Sequence, residues 1–253
     1  MKIRSSAFAA FKRCPRFYYY AYLLGLSSKK KPKTNDLYFG TKLHKAIELY
    51  HKKDFNAGLL VWDEYDNEFS GEDKNPVVGR ILYEKYVEDP LDLVCTEREF
   101  TIHIGSHKWG GRFDGIANVN GLLYVVDHKT TRWEFRQTKP NDQFVSYYLG
   151  GKVFYHDVNG LIVNEFNVRT KSINRIIVSY HPDEVIDWID ETKAVISYMV
   201  RCTNTGIFPK TPDCFKYNRE CKYRMLCNSS NIMARRLIES QFVVNKQQKE
   251  LSY

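Results

Sequence analysis

The chain has 253 residues, which at about 100–200 residues per domain means one domain or at most two. It is 43% hydrophobic and 27% charged, as ordinary globular proteins are, which excludes a disordered chain, a collagen-like chain and a small disulfide knot. Lys plus Arg number 38 against 30 for Asp plus Glu, and the net charge of +8 hints at a polyanionic partner without naming one. Six cysteines are too few for a disulfide scaffold in a chain this long, so their spacing carries more than their number. Arg4, Lys12 and Arg13 break up any apolar stretch of signal-peptide length, and no run approaches the roughly 18 apolar residues that span a bilayer. The expectation is a cytoplasmic chain in a reducing compartment with no membrane contact.

Ser5 or Ser6 can cap a helix that runs through Phe8, Phe11, Tyr18 and Leu23 toward Gly25, with Pro15 kinking it. The stretch from Ser27 to Asp36 holds Lys29-Lys30-Lys31-Pro32-Lys33 and reads as a solvated linker or, alternatively, a phosphate-contacting arm. Tyr38 to Lys52 has helical spacing with Leu43, Ile47 and Tyr50 on its apolar face, and two more helices follow around 57–69 and 77–87. The period then changes to that of strands: 93–104, 109–119 and 122–130, the last two joined at Asn120-Gly121, the strongest short hairpin signal a sequence offers. Residues 141–155 return to helical spacing, 161–168 and 173–180 read as strands, and Pro182 opens a long helix to about Arg201. Residues 206–227 look like loop, and a polar tail from about Gln241 is expected to fray. The class is α/β with a short mixed sheet.

With Asn120 and Gly121 at the centre of a type I′ turn, Val119 pairs with Leu122, and stepping outward brings Asp114 opposite Asp127. Opposed side chains on paired strands have Cβ atoms about 4.5–5.5 Å apart, and like charges that close are destabilising unless something positive lies between them. A divalent cation is the natural resolution, because hard cations prefer carboxylate oxygen. The surrounding Leu122-Leu123-Tyr124-Val125-Val126 is apolar enough to be buried, which sharpens the argument. Period-2 geometry adds Lys129 to the face of Asp127 and turns His128 to the other face. Two carboxylates and an ammonium suit metal-assisted attack on a phosphodiester. His44 and Glu48 share one face of the helix Tyr38–Lys52, and an imidazole is a fitting further ligand. Gln143 and Tyr147 have the same spacing on the next helix, where an amide can bridge to water or phosphate and a phenol can meet a nucleotide.

Cys214, Cys221 and Cys227 form a C-x6-C-x5-C set among aromatic and basic residues, which in an intracellular chain suggests metal rather than disulfide. Three ligands need a fourth, and Cys14 lies in a similar basic and aromatic stretch; joined, they would clasp the two ends of the chain. Four thiolates suit a tetrahedral zinc or a [4Fe–4S] cluster. Cys95 and Cys202 read as plain buried thiols.

Taken in order, Gly40-x3-His44-x3-Glu48, Gly111-Arg112-Phe113-Asp114-Gly115, Asp127-His128-Lys129 and Gln143-x3-Tyr147 resemble the motifs of the PD-(D/E)XK nuclease superfamily, most of all its RecB-type exonucleases. The split cysteine set is similar to that of iron–sulfur members, the AddB nuclease domain and the CRISPR-associated RecB-like nucleases. Two features depart from the pattern: the first gap of the last three cysteines is six residues where two is usual, and Phe113 stands where Pro is common. The resemblance implies a restriction-endonuclease-like core, a small mixed sheet flanked by helices, with a helical N-terminal region and a C-terminal cysteine region. It implies one nuclease domain over 1–253, comprising a helical part (1–90), the catalytic sheet (91–182), a helix with the cysteines (183–230) and a tail (231–253). It makes His44, Asp114, Asp127 and the backbone carbonyl of His128 ligands of Mg²⁺ or Mn²⁺, with Asp114, Asp127 and Lys129 catalytic. Gln143, Tyr147 and Glu48 would position water or DNA, and Cys14, Cys214, Cys221 and Cys227 would hold a [4Fe–4S] cluster.

The activity implied is hydrolysis of DNA, single-stranded or at duplex ends, in the cytoplasm of a bacterial or phage-infected cell. No P-loop is present, so a helicase, recombination or CRISPR-type partner would be a separate chain. The competing expectation is a non-catalytic DNA-binding scaffold on the same fold with a structural zinc or iron–sulfur site.

Overall fold

The computed structural model describes residues 2–29, 35–136, 138–212, 214–216 and 219–245. In chain order the elements are β1 (Lys2–Ile3), α1 (Ser5–Arg13), α2 (Pro15–Tyr18) continued by a π-helical turn (Tyr19–Leu23), β2 (Leu26–Ser28), α3 (Asn35–Lys52), α4 (Phe55–Asp63), a 3₁₀ turn (Asn67–Phe69), α5 (Pro76–Glu88), β3 (Asp92–Ile104), β4 (His107–Val119) and β5 (Leu122–Thr131). There follow α6 (Asp142–Phe154), β6 (Val158–Asn167), β7 (Ser172–Val178), α7 (Pro182–Thr205), β8 (Phe215–Lys216), β9 (Arg219–Glu220), α8 (Arg224–Asn228), α9 (Asn231–Gln241) and β10 (Phe242–Val244). The chain forms two compact units, one of Lys33–Phe100 with Gly111–His181, the other of Met1–Pro32, Thr101–Gly110 and Pro182–Tyr253.

The first of these units is a mixed sheet in the order β3-β4-β5-β6-β7, with β5 and β6 parallel and the β4–β5 and β6–β7 pairs antiparallel. It is the α/β arrangement expected. The β4–β5 hairpin has the expected register, Val119 opposite Leu122 through Gly115 opposite Val126. Asn120 (φ 52°) and Gly121 (φ 83°) both lie in the left-handed region, as a type I′ turn requires, and the Asn118 side chain accepts from the Gly121 amide at 2.9 Å. Parallel strands need a crossover, supplied here by α6, whose first turn is capped by Asn141 accepting from the amides of Gln143 and Phe144. β6 is buried on both faces along nearly its whole length, as a central parallel strand must be. Phe39, Leu43, Ala46 and Ile47 form a helical stripe on α3, all at most 2% exposed, and pack with Trp62, Leu82, Tyr83 and Tyr86 of α4 and α5. That stripe fixes the rotation of α3, and hence where its polar face points.

Glu97 departs from regular strand geometry. On β3 the inward positions are Leu93, Cys95 and Glu97, then Phe100, Ile102 and Ile104, so the alternation slips by one between Glu97 and Phe100. Glu97 has φ +50°, the left-handed region that costs an L-residue about 1 kcal/mol. The slip has the character of a β-bulge, which re-aims a side chain.

In the other unit, β1 pairs in parallel with Lys108 and Trp109, and Trp109 packs edge-on against Phe8 of α1 and Trp188 of α7. β2 pairs antiparallel with β10, Leu26 opposite Val244 and Ser28 opposite Phe242. Tyr223, fully buried, stacks on Phe242 at 5.6 Å and donates its hydroxyl to the Leu26 carbonyl.

Several expectations change. The N-cap of α1 is Arg4, with no side-chain cap bond, where Ser5 or Ser6 was expected. The segment expected as a tail from 231 begins as α9 and β10; residues 246–253 lie outside the described residues. Of the lysine run, 30–33 also lie outside them, and Lys29 is bonded to the Glu239 carbonyl at 2.7 Å rather than extended as an arm. Cys95 is half-buried rather than buried, whereas Cys202 is buried as expected.

Two predictions follow from this packing. Phe242→Ala removes a buried ring at the β2–β10 ladder and should cost about 3 kcal/mol, read as a fall in the denaturant midpoint. Glu97→Gly relieves a left-handed backbone and should raise that midpoint by the equivalent of about 0.5–1 kcal/mol, whereas Glu97→Ala, which keeps the strain, should not.

Candidate active site

The paired register stops at Gly115–Val126, one step short of Asp114 and Asp127. Beyond it the carboxylate of Asp114 takes a backbone role: its Oδ2 accepts from the His128 amide at 2.6 Å. Asp127 lies at the end of an apolar run in which Val125 and Val126 are fully buried, and is itself 2% exposed. The two carboxylates are close enough to feel each other's charge. Each meets a cation. His44, carried on the polar face of α3, places Nδ1 3.0 Å from Asp114 Oδ1 and Nε2 3.0 Å from the His128 carbonyl oxygen. Both of those partners are acceptors, so both ring nitrogens donate and the ring is an imidazolium. Burial opposes that charge, but the Asp114 carboxylate overcomes it and holds the His44 pKa above its ordinary value. Lys129 Nζ is 3.0 Å from Asp127 Oδ1 and 2.7 Å from Oδ2.

The two aspartates are driven apart electrostatically. Burial raises Asp114, but the His44 cation and the bonds from His44 and the His128 amide outweigh it and hold the carboxyl well below the usual range. For Asp127, burial wins over the attraction of Lys129, helped by the negative Asp114, and the carboxyl is pushed up. Asp127 Oδ2 is buried and, despite the nearby ammonium, has no partner at hydrogen-bonding angle among the described residues. Burial also pushes the His128 ring well down, and the ring is neutral among Tyr86, Phe166 and Asn164. Its ring also meets that of His44 edge-on, 5.6 Å between centroids.

The helix after the hairpin completes the row. Lys129 Nζ donates to Gln143 Oε1 at 3.3 Å, and Gln143 Nε2 donates to the Tyr147 hydroxyl at 2.8 Å. Tyr147 is seated by Phe100 and Phe113, 5.8 and 6.2 Å away between ring centroids. A cleft of about 550 Å³ opens beside Lys129, lined among others by His44, Glu48, Glu97 and Asp114. Glu48 reaches the cleft, but its carboxylate is held by Lys45 at 2.9 Å and Lys52 at 2.5 Å.

Glu97 is the residue that motif reading missed. One ligand atom each of His44, Glu97 and Asp114 lies within 4.8 Å of the others. Its carboxylate is pushed up by burial and by Asp114, and Arg112 Nε sits 3.0 Å away. The slip in the apolar alternation of β3 was the available signal. The His44 imidazole with the Glu97 and Asp114 carboxylates forms a donor set suited to Mg²⁺ or Mn²⁺, and Asp127 is not one of that group.

Cys14, Cys214, Cys221 and Cys227 line one small cavity of about 110 Å³. Burial raises the Cys14 thiol, but hydrogen bonds from Thr211 and from the amides of Phe17 and Arg16 outweigh it and lower the pKa. Burial and the neighbouring thiols push Cys221 and Cys227 up. No three of these sulfurs come within 4.8 Å of one another.

Among curated proteins none matches the sequence. Among solved structures, an Eubacterium rectale protein described as a "Putative exonuclease" matches with a TM-score of 0.56 at 13% identity, over 92% of this chain and 91% of that one, which is a likeness of fold. A second structure, SSO0001, matches with a TM-score of 0.33 at 16% identity over 77% of this chain and 76% of that one, too distant to carry an argument. Among the described residues no helix is long and apolar enough to cross a membrane. The family model of the PD-(D/E)XK nuclease superfamily matches residues 5–228, which take in the histidine helix, the aspartate hairpin, the lysine and the glutamine helix, and the chain belongs to that superfamily.

Proposed function

We propose that this chain is a metal-dependent DNA exonuclease of the RecB type, with Mg²⁺ or Mn²⁺ at the aspartate hairpin and a [4Fe–4S] cluster at the four cysteines. The observation that carries the catalytic part is the pairing of His44 with Asp114 next to the bonded series Asp127, Lys129, Gln143 and Tyr147. His44, Asp114, Asp127 and the His128 carbonyl would hold the cation, with Glu97 facing it from β3. When bound, the cation supplies Lewis-acid polarisation of the phosphoryl oxygen and acidifies a water. For His44 to ligate, it gives up one ring proton to solvent.

The chain's own groups do the rest. Lys129, fixed between Asp127 and Gln143, points an ammonium into the cleft, where it can orient the attacking water and steady charge developing on the phosphate. Gln143 is itself oriented by Tyr147, so the amide oxygen stays turned toward Lys129. Glu48 is read as a positioning residue through Lys45 and Lys52, which it holds at the rim. Their positive charge suits the DNA backbone.

For the cysteines, the cavity that Cys14, Cys214, Cys221 and Cys227 share supports one group held by all four. A cytoplasmic protein working beside a separate helicase, recombination or CRISPR-type partner is consistent with these parts.

The catalytic test is digestion of end-labelled single- and double-stranded DNA with Mg²⁺ or Mn²⁺. Asp127→Ala and Lys129→Ala should each lower the rate at least a hundredfold, and products should shorten from an end. Equal rates for wild type and both variants would overturn the enzyme reading. Glu97→Gln should raise the metal concentration for half-maximal activity about tenfold. Anaerobically purified protein should hold about four irons and four sulfides per chain, lost in Cys221→Ser and kept in Cys95→Ser. One zinc and no iron would defeat the cluster assignment.

A further inference from the structure

The geometry points to a nucleobase-stacking platform at Trp133, beside the catalytic strand, that seats an unpaired base of the DNA; this rests on the nuclease reading above. Of the four tryptophans, Trp62, Trp109 and Trp188 are 2%, 0% and 7% exposed, and Trp133 is 71% exposed. A ring of that size left in water forgoes a large burial gain, so its position calls for a reason.

The loop that presents it is anchored rather than loose. Glu165 on β6, 1% exposed, takes both flanks of the loop with one oxygen: Oε1 accepts from Thr131 Oγ1 at 2.8 Å and from the Phe135 amide at 2.6 Å. Its other oxygen accepts from Asn174 at 3.2 Å. Trp133 therefore stands at the apex of a short arch whose two feet share one buried carboxylate. Arg169, just past the end of β6, lies 4.2 Å over the ring, and its own backbone is fixed by the Asn167 side chain accepting from the Arg169 amide at 3.1 Å. Thr131 and Asn167 are register partners, so the parallel β5–β6 pairing is what brings tryptophan and arginine together. With the guanidinium on one side and most of the ring in water, one π-face is left open.

The neighbouring charges narrow the ligand. Arg132 is committed to Asp73 at 2.9 Å, and Arg136 to Glu134 at 2.7 Å. The group the arch offers is thus the ring, with Arg169 as the adjoining positive charge. A flat aromatic face backed by a guanidinium is the pairing used to stack bases while neutralising phosphate, without regard to sequence. Placement agrees with this. Trp133 follows Lys129 by four residues, a span of at most about 14 Å, or about four stacked nucleotides from the scissile phosphate. It also lies beyond the carboxyl ends of two parallel strands, where ligands of open α/β sheets collect.

The test uses intrinsic fluorescence of the full-length protein without added divalent cation, titrated with oligothymidylate and with a matched abasic strand. Base-bearing DNA should quench the emission, and abasic DNA of the same charge should not. Trp133→Ala should abolish the quench, weaken binding about tenfold, and raise KM by a similar factor with kcat within about twofold once Mg²⁺ or Mn²⁺ is added. Trp133→Phe should lose the fluorescence signal but keep affinity within about threefold of wild type. The platform is refuted if wild type binds or cleaves DNA with no quench, if abasic DNA quenches equally, or if Trp133→Ala binds as wild type does. If wild type neither binds nor cleaves DNA, the nuclease reading falls with it; if it cleaves and Trp133 stays silent, only the platform falls.

Discussion

Two carboxylates buried at the end of an apolar hairpin set the terms for the rest of the site. An isolated ionised carboxylate in a protein interior costs several kcal/mol even after relaxation. Asp114 and Asp127 are each buried, and each raises the cost of the other. The fold meets this by delivering positive charge from two directions. α3 brings His44 to Asp114, and β5 itself brings Lys129 to Asp127. The second delivery is local to the hairpin, and the first is not. His44 is 70 residues from Asp114 in sequence, and its reach depends on the apolar stripe that docks α3 against α4 and α5. The core of that unit is in this sense an orienting device for one imidazole.

The charge arrangement is unequal, and the inequality has chemical meaning. Asp114 receives an amide and the His44 ring and its carboxyl is held down, whereas burial pushes Asp127 up despite Lys129 beside it. The ligand atoms gathered at the cleft are those of His44, Glu97 and Asp114, with Asp127 buried beside Lys129. The imidazolium between Asp114 and the His128 carbonyl sits among groups that would otherwise face that cation. The arrangement holds together without the ion through internal ion pairs, and it offers oxygen ligands when one arrives.

Much of this is legible in sequence because it is periodic or local. The Asn120-Gly121 turn sets the hairpin register as far as Gly115 and Val126, the neighbours of Asp114 and Asp127. Spacing by four puts Gln143 beside Tyr147. What escapes is what depends on broken periodicity or on distant pairing. Glu97 reads as one more acid on a polar strand edge until the slip between it and Phe100 is noticed, and its left-handed backbone leaves no composition signature. β10 is three residues with two exposed valines, recognisable as a strand only through Leu26–Ser28 some two hundred residues earlier. The same holds for Lys29, whose charge suggests an outward arm but whose ammonium caps the end of α9 at the Glu239 carbonyl.

Two local defects lie where the chemistry is proposed. Glu97 holds a strained φ, and Asn164 Oδ1, beside the His128 ring, is buried without a hydrogen bond. Each costs on the order of 1–3 kcal/mol, comparable to a sizeable share of the 5–15 kcal/mol that separates folded from unfolded. Such features persist only where the surroundings over-determine them, and here the surroundings do. β6 is buried on both faces beside β5, Phe100 is wedged so closely that a Cβ on Gly111 or Gly150 would lie about 2.5–2.6 Å from its ring, and α3 is locked by four buried side chains. Rigidity next to the strained carboxylates lets them stay poised rather than relax into mutual hydrogen bonds. A looser core would let Glu97 return to the strand phase and Asp127 turn to the nearest amide, and the site would lose its affinity for a cation before the fold lost its shape.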